Sequence, residues 1–545
     1  MTTRPSMLAP FRHEAFRLLW LATLASNLGG LVQSVGAGWM MTTLTDSHNM
    51  VALVQASTTL PIMMFSIMAG ALADNFDRRR IMLIAQCGMA AVSLGLAVIT
   101  WMGILTPWLL LSFTFLIGCG TALFNPSWQA SMGDLVPRED LPGAVTLNSV
   151  SFNMMRSVGP AIGGLIVAFA GAATAFAANA VSYLPLIAAL WRWEPQRRSQ
   201  VQHLPRERLG SAMWAGLRYV SMSPNLLAVL FRGFLFGLSA IAILALLPSI
   251  AASYEDGGAV VYGTMLGSFG VGAIIGAYFN NRLRALLSNE LIVRLSCTGF
   301  ALSAVGLGFS QNVLLSHFAL LPAGACWVLA LSLFNVSIQL SSPRWVVGRA
   351  LSLYQTATFG GMAGGSWLWG LSADAFGPEW ALFLAALVLI GCGLVGLRLA
   401  LPAFNTLDMS PLNTFNEPML KLDLRPSSGP ILIMVHYHIA QEDIPRFLAL
   451  MSERRRIRIR DGARQWAILR DLEHPDIWVE SYHVPTWVEY VRHNLRRTKA
   501  DAENVEKLRA LHRGPDAPHV YRMIERQTVP RDDTTPLRSS PEPEV

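Results

Sequence analysis

The chain has 545 residues, 52% hydrophobic and only 14% charged, against roughly 45–50% and about 25% in an ordinary soluble domain, which excludes a wholly soluble protein. The formal charge of +7 raises two partners, nucleic acid and an anionic membrane. Position removes the first: residues 1–402 hold 21 Arg, no Lys and 14 acids, leaving +7, whereas residues 403–545 hold 18 Arg, 3 Lys and 21 acids and are neutral.

A bilayer-spanning helix needs about 20 predominantly apolar residues. Residues 1–402 supply twelve such runs: 16–43, 51–73, 81–102, 108–132, 144–169, 174–191, 226–250, 260–279, 291–309, 313–340, 350–373 and 380–401. The first is too long for a signal-peptide core and lacks a small-residue cleavage pattern, so it reads as a retained helix. Cytoplasmic loops carry the positive charge. With the N-terminus inside, 19 of the 21 arginines flank the cytoplasmic ends, and the opposite loops near positions 46, 106, 171, 255, 311 and 374–379 contain no Lys or Arg. Arg156 and Arg232 fall inside spans. The alternation predicts an even helix number with both termini cytoplasmic.

A polar break at 192–225 divides a six-helix bundle at 1–191 from another at 226–402. Features recur at an offset of 206 residues, among them Gly70-Ala71 with Gly276-Ala277, Pro137-Arg138 with Pro343-Arg344 and Leu147 with Leu353, which argues for duplicated halves. A Pro-, Asn- and Ser-rich linker at 403–430 leads to a polar segment at 431–526. There, strands at 431–439, 462–471, 477–484 and 518–526 and helices at 442–458 and 486–512 follow the βαββαβ order of a ferredoxin-like α+β domain. Residues 527–545 read as a disordered tail. The five cysteines show no CxxC spacing, and neither a metal site nor a cofactor is expected.

Few polar groups lie inside the spans. Arg156 sits near the middle of its span, where an arginine costs about 2.5–3.5 kcal/mol to insert, so it is expected to face a polar cavity, against an anionic substrate or a structural partner. Arg232 lies nearer a surface, within snorkelling reach. Asn27, Gln33, Asn125, Gln129, Asn153, Asn335, Gln339, Tyr354 and Gln355 are further candidates for a central cavity, each weighed against a plain helix-to-helix hydrogen bond. Gly159, Pro160, Gly163 and Gly164 follow Arg156 and permit a kink and close backbone approach; Gly360, Gly361, Gly364 and Gly365 put a similar surface on the eleventh span. At the end of the second span Asp74 faces the negative end of its own helix, unfavourable without a cation, which Arg78 or Arg79 can supply. That cluster is either a switchable clasp between cytoplasmic ends or a positive-inside turn with a capping acid.

Gly70, Asp74, Arg78 and Arg79 together resemble the loop 2–3 signature of the major facilitator superfamily, with Asn75 and Asp77 departing from it and a degenerate second-half copy from Gly276 to Arg284. The stretch from Arg156 to Gly164 is similar to that family's antiporter motif, which implies export. Gly120, Asn125-Pro126, Gln129, Leu135 to Arg138 and Leu147-Asn148 resemble the branch of the enterobactin exporter and the transmembrane secretion effectors. The resemblance implies a two-bundle fold, a small-molecule substrate (siderophore, drug or secondary metabolite) and proton antiport. Proton coupling rests on the resemblance alone: no acid lies deep in a span, the candidates His13, Glu14, Asp46, Asp74 and Asp134 lie near surfaces, and no basic residue stands near Thr121. In the tail, Glu480, Tyr482, Trp487 and His493 resemble antibiotic-biosynthesis-monooxygenase-like dimeric α+β barrels, with Tyr490 in place of that family's histidine; no residue pattern marks a pocket for cofactor-free oxidation, so a dimerisation or regulatory module is favoured over an enzyme. A membrane-anchored sensor or enzyme, and a lipid or lysophospholipid transporter, remain alternatives.

Overall fold

The structure is a computed structural model that describes residues 8–525 apart from 138, 195–208, 256, 344, 402–408, 411 and 413. The first half holds α1 (Glu14–Leu44), α2 (His48–Asn75), α3 (Arg78–Trp101), α4 (Pro107–Leu135) and α5 (Leu141–Arg192). The fifth and sixth expected spans run together as α5, broken at Gly171, whose φ of 81° is open to glycine. After α6 (Leu209–Ser221), a helix inside the expected central loop, come α7 (Pro224–Ser253), α8 (Ala259–Leu286), α9 (Asn289–Gly308), α10 (Val313–Leu340), α11 (Val347–Phe376) and α12 (Pro378–Val395). Side-chain caps start several of them: Ser47 accepts from the Met50 amide, Asp77 from Arg79, Thr106 from Leu109 and Ser288 from Leu291.

Nine of the helices among the described residues are long and apolar enough to cross a membrane. α11, with 30 residues, is not one of these: Ser352, Tyr354, Gln355, Thr356 and Thr358 lower its hydropathy. It meets α2. Ser66 and Thr356 share a hydrogen bond of 2.7 Å, and Met63 lies against Gly360.

The chain divides into two compact units. The larger comprises residues 1–198, 227–338 and 351–403. Its first half is cored by Phe16, Leu19, Met82, Met89, Phe124, Trp128 and Leu186. In its second half the rings of Phe236, Phe269, Phe300, Trp327 and Phe334 interlock, with centroids about 6 Å apart. Beside them, Arg232 on α7 is fully buried and pairs with Glu290 on α9; it also donates to the Leu399 carbonyl at 3.2 Å and stands 5.9 Å from the Phe334 ring. Glu290 further accepts from the Leu401 amide at 2.9 Å. The snorkelling expected for Arg232 is thus replaced by a buried ion pair, because Glu290 in the first turn of α9 brings a carboxylate within reach.

The smaller unit joins residues 199–226 and 339–350 to 404–545. Its core is a four-stranded antiparallel sheet of β1 (Ile431–His438), β2 (Arg464–Arg470), β3 (Ile477–Val484) and β4 (Val520–Ile524) in the order β2-β3-β1-β4, the arrangement the βαββαβ reading predicts. Helices α13 (Ile444–Asp461), α14 (Trp487–Leu495) and α15 (Lys499–Leu511) accompany it. The expected helix 486–512 is two, because Thr498 and Asp501 form a capping box that starts α15 afresh. Alternation buries Ile431, Ile433, Val435 and Tyr437 on β1. The opposite face leaves Leu432, Met434, Val479, Leu469, Tyr521 and Met523 half-buried or exposed.

Removing one member of a buried ion pair strands the other and costs about 3–5 kcal/mol. Glu290→Ala is therefore expected to lower the thermal unfolding midpoint of the purified protein markedly, whereas Glu379→Ala, in the first turn of α12, leaves it nearly unchanged.

Candidate functional site

The expected cavity residues separate into distinct environments. Gln33 on α1 is buried and closes a polar network across the first half. It accepts from Ser93 on α3 at 2.8 Å and from the Asn179 amide of α5, and that amide group also reaches the Ser93 hydroxyl and the Tyr183 hydroxyl at 3.1 Å each. Each member has a partner, as buried polar groups in hydrocarbon require. Ser93, Asn179 and Tyr183 escaped the sequence reading, although Asn179 is a polar group inside an apolar run like those that were chosen. Tyr354 on α11 is buried, donates to the Leu331 carbonyl at 3.5 Å and packs on Gly233 of α7. Asn27 and Asn335 are half-buried, and Gln129 and Gln339 are exposed. The side chains of Arg156, Asn153 and Asp74 lie outside the described residues.

The glycine motif is a packing surface toward two helices. A Cβ on Gly159 would lie 2.9 Å from Leu31, and one on Gly163 would lie 3.0 Å from the Val32 backbone, both on α1. A Cβ on Gly164 would stand 2.6 Å from the Ala259 carbonyl and 2.9 Å from Gly263, and Gly263 in turn meets the Pro160 carbonyl. Backbone therefore meets backbone where α5 crosses α8, joining the two halves. Gly361 and Gly365 bring α11 equally close to the Phe234 and Leu238 carbonyls of α7.

At the arginine-bearing end, Gly70 faces the Ser352 hydroxyl, again between halves. Arg78 donates to Asp134 and to the Ala130 carbonyl of α4, both at 2.9 Å. Arg79 donates to the Leu190 and Trp191 carbonyls at 2.8 and 2.7 Å, a cation on the negative end of α5. The two arginines thus tie α3 to its own half. His13 and Asp140 pair at 2.9 Å between the start of α1 and that of α5. At the opposite end His317 on α10 bonds the Val313 carbonyl at 2.7 Å and the Thr264 hydroxyl of α8 at 3.1 Å, a titratable group the sequence reading did not single out.

The sequence of residues 5–529 matches the family model described as transmembrane secretion effector. The chain belongs to that family. It is similar to the multidrug efflux pump Tap of Mycobacterium tuberculosis (24% identity over 75% of this chain and 98% of that protein) and to the enterobactin exporter EntS of Salmonella typhimurium (27% over 66% and 86%). Its fold is that of a solved bacterial homologue of the lysosomal transporter Spinster, with a TM-score of 0.54 at 12% identity over 72% of this chain and 96% of that one. This member of the family is a multi-pass membrane transporter that exports small molecules.

In its smaller unit, Glu480 on β3 is fully buried and accepts from Arg458 at 3.0 Å, Trp466 at 3.1 Å and Tyr437 at 3.4 Å. Burial acts to raise its carboxyl, but Arg458 and Arg454 outweigh it and hold the group down to about 2. His493 meets Arg458 at 3.0 Å, and burial with that neighbouring cation keeps it neutral, well below the ordinary 6.5. Arg458 lies 4.4 Å over the Tyr482 ring. Glu480, Tyr482 and His493 thus form one sealed core cluster around Arg458, while Trp487 bonds Glu417 at 3.0 Å.

Both titrations act in one direction. An unfolded chain takes a proton at His493 below about 6.5 and at Glu480 below about 4.5, while the folded domain refuses both until lower pH. Stability present at neutral pH is accordingly lost first as pH falls through 6.5 and again as it falls from 4.5 towards 2. Hydrogen exchange of β1 and β3 amides in the full-length exporter is expected to accelerate over those windows, and His493→Gln to flatten the first.

Proposed function

We propose that the exporter works by alternating access in the bacterial inner membrane, both termini cytoplasmic, with twelve spans in two six-helix bundles and proton entry driving exit of a small, amphipathic or anionic molecule. The observation that carries this reading is the junction between the halves. Residues of α5 and α8 meet backbone to backbone at Gly164 and Gly263, and α2 and α11 meet through Gly70, Gly360 and Gly370 and a few side-chain hydrogen bonds, so little apolar surface is uncovered when these contacts part. The named activities of the relatives favour a siderophore, drug or secondary metabolite as cargo. Arg156 is the residue to contact it, with Asn27, Asn153, Asn335 and Tyr354 lining the path, while Gln33 braces the first half. Asp74, Arg78, Arg79 and Gly70 gate the cytoplasmic end.

The β-sheet domain serves as a dimerisation or regulatory module. Its apolar open sheet face suits a second copy of the same sheet, and the sealed state of Glu480 and His493 leaves them structural rather than catalytic.

Loss of a charge-assisted hydrogen bond to the cargo weakens binding by about tenfold to a hundredfold. Arg156→Ala is expected to lower efflux by that order in cells while the protein still reaches the membrane, and a protonophore to reduce efflux by the unsubstituted protein. Normal efflux by the variant removes Arg156 from the path. Deleting residues 403–545 is expected to leave partial efflux; complete loss with normal membrane insertion would instead favour a sensor or enzyme acting through the sheet domain.

A further inference from the structure

At the arginine-free end, α11 closes on the start of α2. The Asp374 carboxylate accepts from the Ser47 hydroxyl at 2.9 Å and from the Asn49 backbone amide at 3.2 Å. Ser47 is the N-cap of α2, its oxygen accepting from the Met50 amide, so its proton is directed at Asp374. The Asn49 amide is one of the first four of α2, which have no partner within the helix. One turn back, a Cβ on Gly370 would lie 2.8 Å from the Asn49 Cα and 2.9 Å from Ala52, so the glycine brings the carboxylate within reach.

The cation that Asp374 answers is the helix end itself. The loops at this end carry no Lys or Arg, and a helix N-terminus presents about half a positive charge. The sequence repeats the device. Gly370-x-x-Ala373-Asp374-x-Phe376 ends α11 just as Gly70-x-x-Ala73-Asp74-x-Phe76 ends α2. Gly70 faces Ser352, near the start of α11, and Gly370 faces Asn49, near the start of α2. Two helices joining different halves therefore carry the same Gly-to-Asp spacing at opposite ends.

We propose that Asp374 is a gating residue: its carboxylate, held by the free amide end of α2, keeps the arginine-free ends of the two halves together, and its release accompanies opening at that end. The proposal rests on alternating access as the mode of transport. It needs no knowledge of the cargo, because the closed contact is read by distance.

The test uses the full-length protein in nanodiscs with its five native cysteines replaced by alanine and spin labels at Asp46→Cys and Phe376→Cys. The distance distribution is measured by pulsed electron resonance. Loss of the charge and both bonds in Asp374→Ala is expected to raise the ratio of long to short separations about fivefold, roughly 1 kcal/mol. Asp374→Asn, which keeps an acceptor but loses the charge, and Ser47→Ala, which loses one bond, are expected to fall between. Ser372→Ala, whose hydroxyl returns to the Leu368 carbonyl of its own helix, is expected to match the unsubstituted protein. Two populations in the unsubstituted protein that Asp374→Ala and Ser47→Ala leave unchanged would overturn the latch alone. A single fixed separation in every variant would overturn the latch and alternating access together.

Discussion

The close approach of backbone to backbone at glycine is the constraint on which the membrane unit depends. In hydrocarbon there is no water to satisfy a peptide group that a moving helix uncovers, so spans must keep their hydrogen bonds internal and meet through surfaces that slide or part intact. Gly164 against Gly263, where α5 meets α8, is such a surface. Within each half glycines also bring backbones together, as Gly361 and Gly365 do against α7, and polar bonds are added to them. The Gln33–Ser93–Asn179 network and the Arg232–Glu290 pair are costly to break, and each ties helices of one half to one another.

This division of labour gives the electrostatics a place. Arg78 and Arg79 close α3 onto its own half through Asp134 and the last carbonyls of α5, so the conspicuous basic pair braces a bundle in this conformation. The contact between halves at the other end is instead made by a carboxylate and a helix terminus. A partial charge spread over backbone amides binds an acid more weakly than an arginine does, so this contact costs less to part than an arginine–carboxylate pair.

Much of this was legible in the sequence, and the failures are instructive. Apolar run length, arginine alternation and strand periodicity gave the long helices and the sheet order, because those signals report hydrophobic burial. The pairing of Arg232 was illegible because Glu290 lies 58 residues away at the mouth of another helix. Asn179 was overlooked because polarity inside an apolar run shows that a partner exists without saying which. Gln33 is legible as a polar group that needs a partner, but not that Ser93 and Asn179 supply it. The break between α14 and α15 was written locally, in Thr498 and Asp501, within a stretch whose helical composition concealed it. The contact of Asp374 is illegible because its partners, Ser47 and Asn49, lie more than 300 residues earlier in the chain.

The smaller unit carries a further consequence. Tyr219 on α6 is buried, set edge-on to Trp345 at 5.4 Å and beneath Arg460 at 4.8 Å, while Arg496 covers Trp345 at 4.2 Å. Arg218 donates to the Arg460 carbonyl, 242 positions later in the chain. Two stretches that precede residue 351 in the chain thus belong to the same folded body as the sheet, which is assembled from three separated segments rather than from the C-terminal stretch alone.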